Sequence, residues 1–193
     1  MKNKLPIVYP MLVLLLCIGT FNSFAQQGPA AYTGSNRIII ALEGPTSMYE
    51  FMSRQMIVRH NKATQKLECV IPVSTLIPLN DTIPADMAFE VLFGAKYPQL
   101  YLNIDAPLQI ISSGNLTPET VKRIISIGLQ GVNNESAIPV AFTTENNALY
   151  FSTNFEIMLD NFQASLPVKY LPYLTGRMQV SIDRARWVSR DMR

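Results

Sequence analysis

Leu67-Glu68-Cys69-Val70-Ile71-Pro72-Val73 decides the fold: Leu67, Cys69, Ile71 and Val73 alternate with Glu68, Val70 and Pro72. Successive side chains of a strand point to opposite faces, so this run has one apolar face and one mixed face. Working outward, the turn-forming Asn61-Lys62-Ala63-Thr64-Gln65 precedes it as a hairpin loop, and Met48 to His60 reads as the partner strand. The same period of two recurs in Leu100, Leu102 and Ile104, in Leu149, Phe151, Phe155 and Ile157, and in Met178, Val180 and Ile182. Arg37 to Glu43, Val121 to Leu129 and Ala137 to Thr144 complete about eight strands, with Glu145-Asn146-Asn147 as a further tight turn. Many short strands joined by polar turns predict an all-β, eight-stranded antiparallel barrel. Helix is confined to a short piece near Asp86 to Phe93 and a second at Pro118 to Arg123, where Thr117-Pro118-Glu119 resembles a helix start.

The chain has 193 residues, 48% hydrophobic and 16% charged, against roughly 25% charged in an average soluble domain, which excludes intrinsic disorder. Met1 to Lys4 carries two lysines, Leu5 to Thr20 is almost purely apolar, and Ser23-Phe24-Ala25 places small residues before Gln26. This is the pattern of a secretory signal peptide. The run is shorter than the roughly 20 apolar residues of a membrane anchor. The reading is therefore a signal peptide at 1–25, a flexible leader at 26–36 and one barrel domain at 37–193. Without Lys2 and Lys4 the 16 basic residues become 14, equal to the 14 acids, so nothing remains to hold a phosphate backbone and a nucleic-acid partner is excluded. Arg184, Arg186, Arg190 and Arg193 near the end are interrupted by Asp183 and Asp191 and read as a solvated face.

Cys17 lies in the signal and leaves with it, preceded by Leu16 where a lipoprotein site wants a small residue. Cys69 remains alone, which excludes an internal disulfide and reads as a buried small hydrophobe. His60 is the only histidine; it has no nucleophile elbow or second nitrogen ligand around it and reads as a surface residue ending a strand. No catalytic constellation or metal site can be named. Asn80, Asn115 and Asn134 head glycosylation sequons and are taken as turn residues.

The order of loop words resembles the YceI-like family of exported polyisoprenoid-binding proteins, in the secreted form of Bacteroidota. Asn61 to Leu67 stands in the place of the family's D-x-x-T-G-x-L hairpin, followed by Ile71-Pro72-Val73. Lys96-Tyr97-Pro98 precedes a strand as K-Y-P does there, and Gly131-Val132-Asn133-Asn134 with Ile138-Pro139-Val140 matches a G-V-T-K turn. Phe155 to Phe162, Leu166-Pro167 and Met178 to Asp183 look like F-x-V-x-L-x-D-Y-x-I-x-I-P and the closing strand. The chain departs at Gln65 for Gly, at Asn161-Phe162 for Asp-Tyr, and in having Met87 to Phe93 where a polar helix is commoner.

The resemblance implies a lipocalin-like barrel that is not an enzyme, secreted or periplasmic, whose lumen carries an isoprenoid or similar amphipathic lipid. No cofactor is implied beyond such a lipid or a quinone. No transmembrane anchor remains after signal cleavage, and a homodimer stays open. The same alternation serves a second reading, in which the barrel is filled by its own side chains and acts as a structural or protein-interaction module. On the more apolar face of each strand, the expected lumen residues are Met56, Val58, Leu67, Cys69, Ile71, Leu100, Leu102, Ile104, Ile125, Ile127, Leu129, Leu149, Phe151, Phe155, Ile157, Met178, Val180 and Ile182.

Overall fold

The computed structural model describes residues 33–111, 119–146 and 148–188; the expected signal peptide and residues 26–32 of the leader lie outside them. The strands are β1 (Thr33–Glu43), β2 (Met48–Asn61), β3 (Lys66–Pro72), β4 (Ile77–Pro78), β5 (Gln99–Asp105), β6 (Glu119–Leu129), β7 (Val132–Glu145), β8 (Ala148–Met158) and β9 (Arg177–Val188). Each of the eight long strands pairs antiparallel with its neighbours in the order β1-β9-β8-β7-β6-β5-β3-β2, and β2 pairs back to β1, so the sheet closes into the expected eight-stranded barrel. Closure removes the free edges that an open sheet would expose. The two-residue β4 is an appendage on β2.

Turn chemistry fixes the register. Leu129 and Val132 face each other across Gln130-Gly131, whose φ values of 52° and 81° make the type I′ turn that suits the twist of a hairpin. Gln65, at the hairpin position where the resembled family has Gly, also adopts a left-handed φ of 56°. Its side chain offsets that strain, for Nε2 donates to the Lys62 carbonyl at 2.6 Å and Oε1 accepts from the Leu108 amide at 2.8 Å. Gln65 thus ties the β2–β3 hairpin to α2 (Leu108–Ile111), a short helix that the sequence pattern did not announce.

Three expectations are corrected. Residues 119–123, read as a helix start, belong to β6 and pair with Ile138–Phe142 of β7. The ladder satisfies backbone groups that an isolated helical turn would leave open, so long-range pairing overrides the local Thr-Pro-Glu signal. Residues 33–36 of the leader begin β1 instead of hanging free. Asn36 substitutes for ladder bonds there: Nδ2 donates to the carbonyls of Thr33 and Arg186, both at 3.0 Å, and Oδ1 accepts from the Arg186 amide at 2.6 Å. Third, His60 is buried rather than on the surface.

One end of the barrel is sealed. The short helix α1 (Met87–Val91), inside the expected 86–93, buries Met87, Ala88 and Val91 together with Leu92. From the other side the chain after β8 brings Leu159, Phe162, Ala164, Tyr170 and Leu174 into the same core. Tyr170 donates its hydroxyl to Glu90 at 2.6 Å, and Lys169 pairs with the same carboxylate. The Lys169 hydrogen bond, and then that of Tyr170, hold the Glu90 carboxyl below its usual range.

Candidate functional site: the barrel interior and its polar end

All eighteen expected lumen residues are buried, and the same face of the wall adds Ile38, Ile40 and Leu42 from β1. Cross-strand partners share a face, so the pairs Leu67 with Ile104, Cys69 with Leu102 and Leu102 with Ile127 form continuous apolar rings. Met56, Val58, Cys69, Leu102 and Val180 have no accessible surface, so a guest has to displace what now packs against them. Burial pushes the Cys69 thiol well above its ordinary value, with Glu68 adding to the shift, so the group is a neutral part of the lining rather than a nucleophile.

At the end opposite α1 the interior changes character. His60 follows Met56 and Val58 on the inner face of β2 and is paired with the inner Leu67. Its Nε2 lies 2.9 Å from the carbonyl oxygen of Ala106 and must carry a hydrogen to bond it, so Nδ1 is the acceptor whenever the ring is neutral. The ring sits 5.5 Å from that of Trp187, the chain's one tryptophan, which is buried opposite Leu149. Arg123, two residues before the inner Ile125, reaches the same β5 terminus, with Nη1 donating to the Asp105 carbonyl at 3.5 Å. Its guanidinium lies 4.6 Å from the centre of the Phe142 ring, and Phe142 in turn meets Phe151 edge-on. Burial pulls Arg123 below its usual pKa, partly offset by the Asp105 carboxylate.

Three atoms here are buried without a hydrogen-bond partner: His60 Nδ1, Arg123 Nε and Trp187 Nε1. Folded proteins satisfy nearly all buried polar groups, and each one left open costs about 1–3 kcal/mol. No other buried side-chain polar atom among the described residues is in this state. All three atoms therefore fall on one stretch of the interior, whereas the other buried polar side chains, Asn36, Ser53 and Thr153, are hydrogen-bonded. The wall around them is fixed, since the Gln65 carbonyl accepts from the Ala106 amide at 2.9 Å just where His60 bonds the Ala106 carbonyl.

Sequence alternation found the apolar rings but missed His60, Arg123, Phe142 and Trp187. Extending the Met56-Val58 and Ile125-Ile127 phases by one step would have found His60 and Arg123. Trp187 was hidden by a bulge: Phe151 pairs with Ala185 but Thr153 with Ile182, so β9 carries one extra residue, and Arg184 adopts a φ of 48°. Among the described residues no cluster of three His, Cys, Asp or Glu side chains could hold a metal, and no helix is long and apolar enough to cross a membrane.

No protein-family model and no curated protein matches the chain. Solved structures do. The polyisoprenoid binding domain from Saccharophagus degradans implicated in plant cell wall breakdown superposes with a TM-score of 0.69 at 11% identity, covering 83% of this chain and 100% of that one. Burkholderia cenocepacia BcnA gives 0.56 at 15% identity over 76% of this chain and 92% of its own. A Campylobacter jejuni YCEI protein aligns over 98% and 99% of the two chains at 12% identity with a TM-score of 0.46. At these identities what the first two share with this chain is the fold, a closed antiparallel β-barrel.

Proposed function

We propose that this protein is an exported, non-enzymatic carrier that sequesters an isoprenoid or similar amphipathic lipid inside the barrel. The observation that carries the reading is the interior itself: a closed, largely apolar barrel core, covered at the α1 end, with a polar group of side chains at the other. An apolar tail placed there contributes about 0.8 kcal/mol per buried methylene, and the buried polar atoms that lack a partner, and so are free to meet a headgroup, lie at one end. The description of the Saccharophagus degradans relative as a polyisoprenoid binding domain agrees with this ligand class. The signal-like segment 1–25 supports export to the periplasm or beyond.

The test is to express the full chain in a bacterial host, recover the exported protein and analyse it by native mass spectrometry and organic extraction. The expected result is an N-terminus at Gln26 and a copurifying lipid with an isoprenoid chain. Protein that carries no lipid and takes up none when offered would refute the carrier. That outcome belongs to the second reading, a self-filled interaction module, which the fully covered inner side chains and the exposed Val168, Leu171 and Tyr173 near the sealed end favour.

A further inference from the structure

Building on the carrier reading, we propose that the polar end is a headgroup subsite, in which Trp187 Nε1 and Arg123 Nε donate to two acceptor oxygens of the lipid while His60 Nδ1 faces the headgroup as an acceptor. The lipid is thereby oriented, head against the β5 terminus and tail toward α1.

The assignment follows from the chemistry of the orphaned atoms. Indole and guanidinium nitrogens only donate, so their partners must be oxygens with free lone pairs. The bond to the Ala106 carbonyl puts a hydrogen on His60 Nε2, so in the neutral ring Nδ1 is the acceptor and suits a headgroup proton. Trp187 lies against His60, and His60 and Arg123 both anchor on the Asp105-Ala106 backbone, so the three groups form one stretch of wall. No carboxylate makes an ion pair with the Arg123 guanidinium among the described residues; it meets a backbone carbonyl and the Phe142 ring face, with the Asp105 carboxylate acting only through its charge. A plain hydrocarbon would leave every one of these groups open. A phosphate ester and a quinone both supply acceptor oxygens, and they differ in charge.

The experiment titrates the folded, full-length exported protein with three probes that share a C20 isoprenoid tail: a monophosphate, a benzoquinone and the unsubstituted hydrocarbon. Binding is read by calorimetry in the wild type and in Trp187→Phe, Arg123→Met and His60→Phe. The expected result is at least tenfold preference of the wild type for an oxygen-bearing probe over the hydrocarbon. Trp187→Phe and Arg123→Met should each lose about five- to tenfold for that probe and nothing for the hydrocarbon. A larger loss in Arg123→Met for the monophosphate than for the quinone identifies an anionic headgroup, and equal losses a neutral one; either supports the subsite. Equal affinity of the wild type for all three probes, or variants that bind the oxygen-bearing probes as the wild type does, overturns the subsite while leaving a carrier of apolar chains. Failure of every probe to bind the wild type overturns both. Circular dichroism of each variant confirms the barrel, and because the three substitutions act on separate strands, one that unfolds leaves the other two to decide.

Discussion

Replacing Leu102 by alanine removes a side chain from the middle of the barrel wall. Leu102 is fully buried, and its neighbours on the same face are Cys69 of β3 and Ile127 of β6, so the truncation opens a hole inside the barrel. Buried Leu→Ala changes cost about 2.7–5 kcal/mol, more where the surroundings fail to close on the space. Hydrogen-bonded neighbours hold strands about 4.8 Å apart, so a closed wall collapses little and the expected loss is about 4 kcal/mol. In a domain of this size that lowers Tm by roughly 8–16 °C, read by calorimetry under reversible conditions. A loss below about 1 kcal/mol would show that Leu102 is not packed into the wall and refute the reasoning. The same position tests the lumen, because Leu102→Phe overpacks it at about 1–3 kcal/mol. An isoprenoid probe at a hundredfold excess over its Kd should return about 2.7 kcal/mol to the wild type and to Leu102→Ala, and markedly less to Leu102→Phe. Equal stabilisation of all three would place the guest outside the bore.

Phe151→Arg sets an unpaired charge on the inner wall and should abolish lipid retention, checked on the folded fraction because the same burial costs several kcal/mol. For Cys69, both states hold the proton below the unfolded thiol's pKa of about 8.5; above it only the unfolded chain releases it, so stability should fall by about 1.4 kcal/mol per pH unit, a slope that Cys69→Val abolishes in urea titrations. Asn36→Ala removes the side chain that closes the β1–β9 seam and should cost about 1–3 kcal/mol, with faster hydrogen exchange at Arg186. Glu90 has a lowered pKa, so its tie to Lys169 and Tyr170 is present above about pH 4.3 and lost as pH falls through the lower folded value. Acid, or Glu90→Gln at neutral pH, should therefore speed hydrogen exchange across 163–174.

The walls were legible because alternation is a local signal that closure does not disturb: apart from Val73, which already belongs to a 3-10 turn after β3, each expected strand lies within an observed one, and each inner residue of the regular stretches is buried. The failures come from information that is not local. Pro118 to Arg123 carries a respectable helix start, yet β7 is available to pair with residues 119–123. His60 was judged by its polarity and its place at a strand end, when the deciding fact is the Ala106 carbonyl, 46 residues away, which satisfies one nitrogen and makes burial affordable. Gln65 shows the converse. A residue poorly suited to its φ is kept in place by a contact with Leu108 that only the folded chain supplies.

The polar end owes its composition to two inserted residues. In β2, Ser53 pairs with Ile38 but Met56 with Asn36, so β2 carries one residue more than β1 across this interval. Continuing the phase of Phe51 and Ser53 without that bulge would turn Gln55, Ile57 and Arg59 inward and put His60 in solvent. In β9, the phase of Met178, Val180 and Ile182 would turn Arg184 and Arg186 inward; the extra residue at the Phe151–Thr153 register shift turns Ala185 and Trp187 inward instead. A one-residue insertion in a strand exchanges its two faces beyond that point. Together the bulges move three arginines out of the bore and bring in one imidazole and one indole, leaving Arg123 as the cation of the inner face there. The same barrel wall could have ended in a strongly basic mouth. It ends in a weakly polar one, with donors enough for a headgroup and too little unpaired charge to repel an apolar chain passing through.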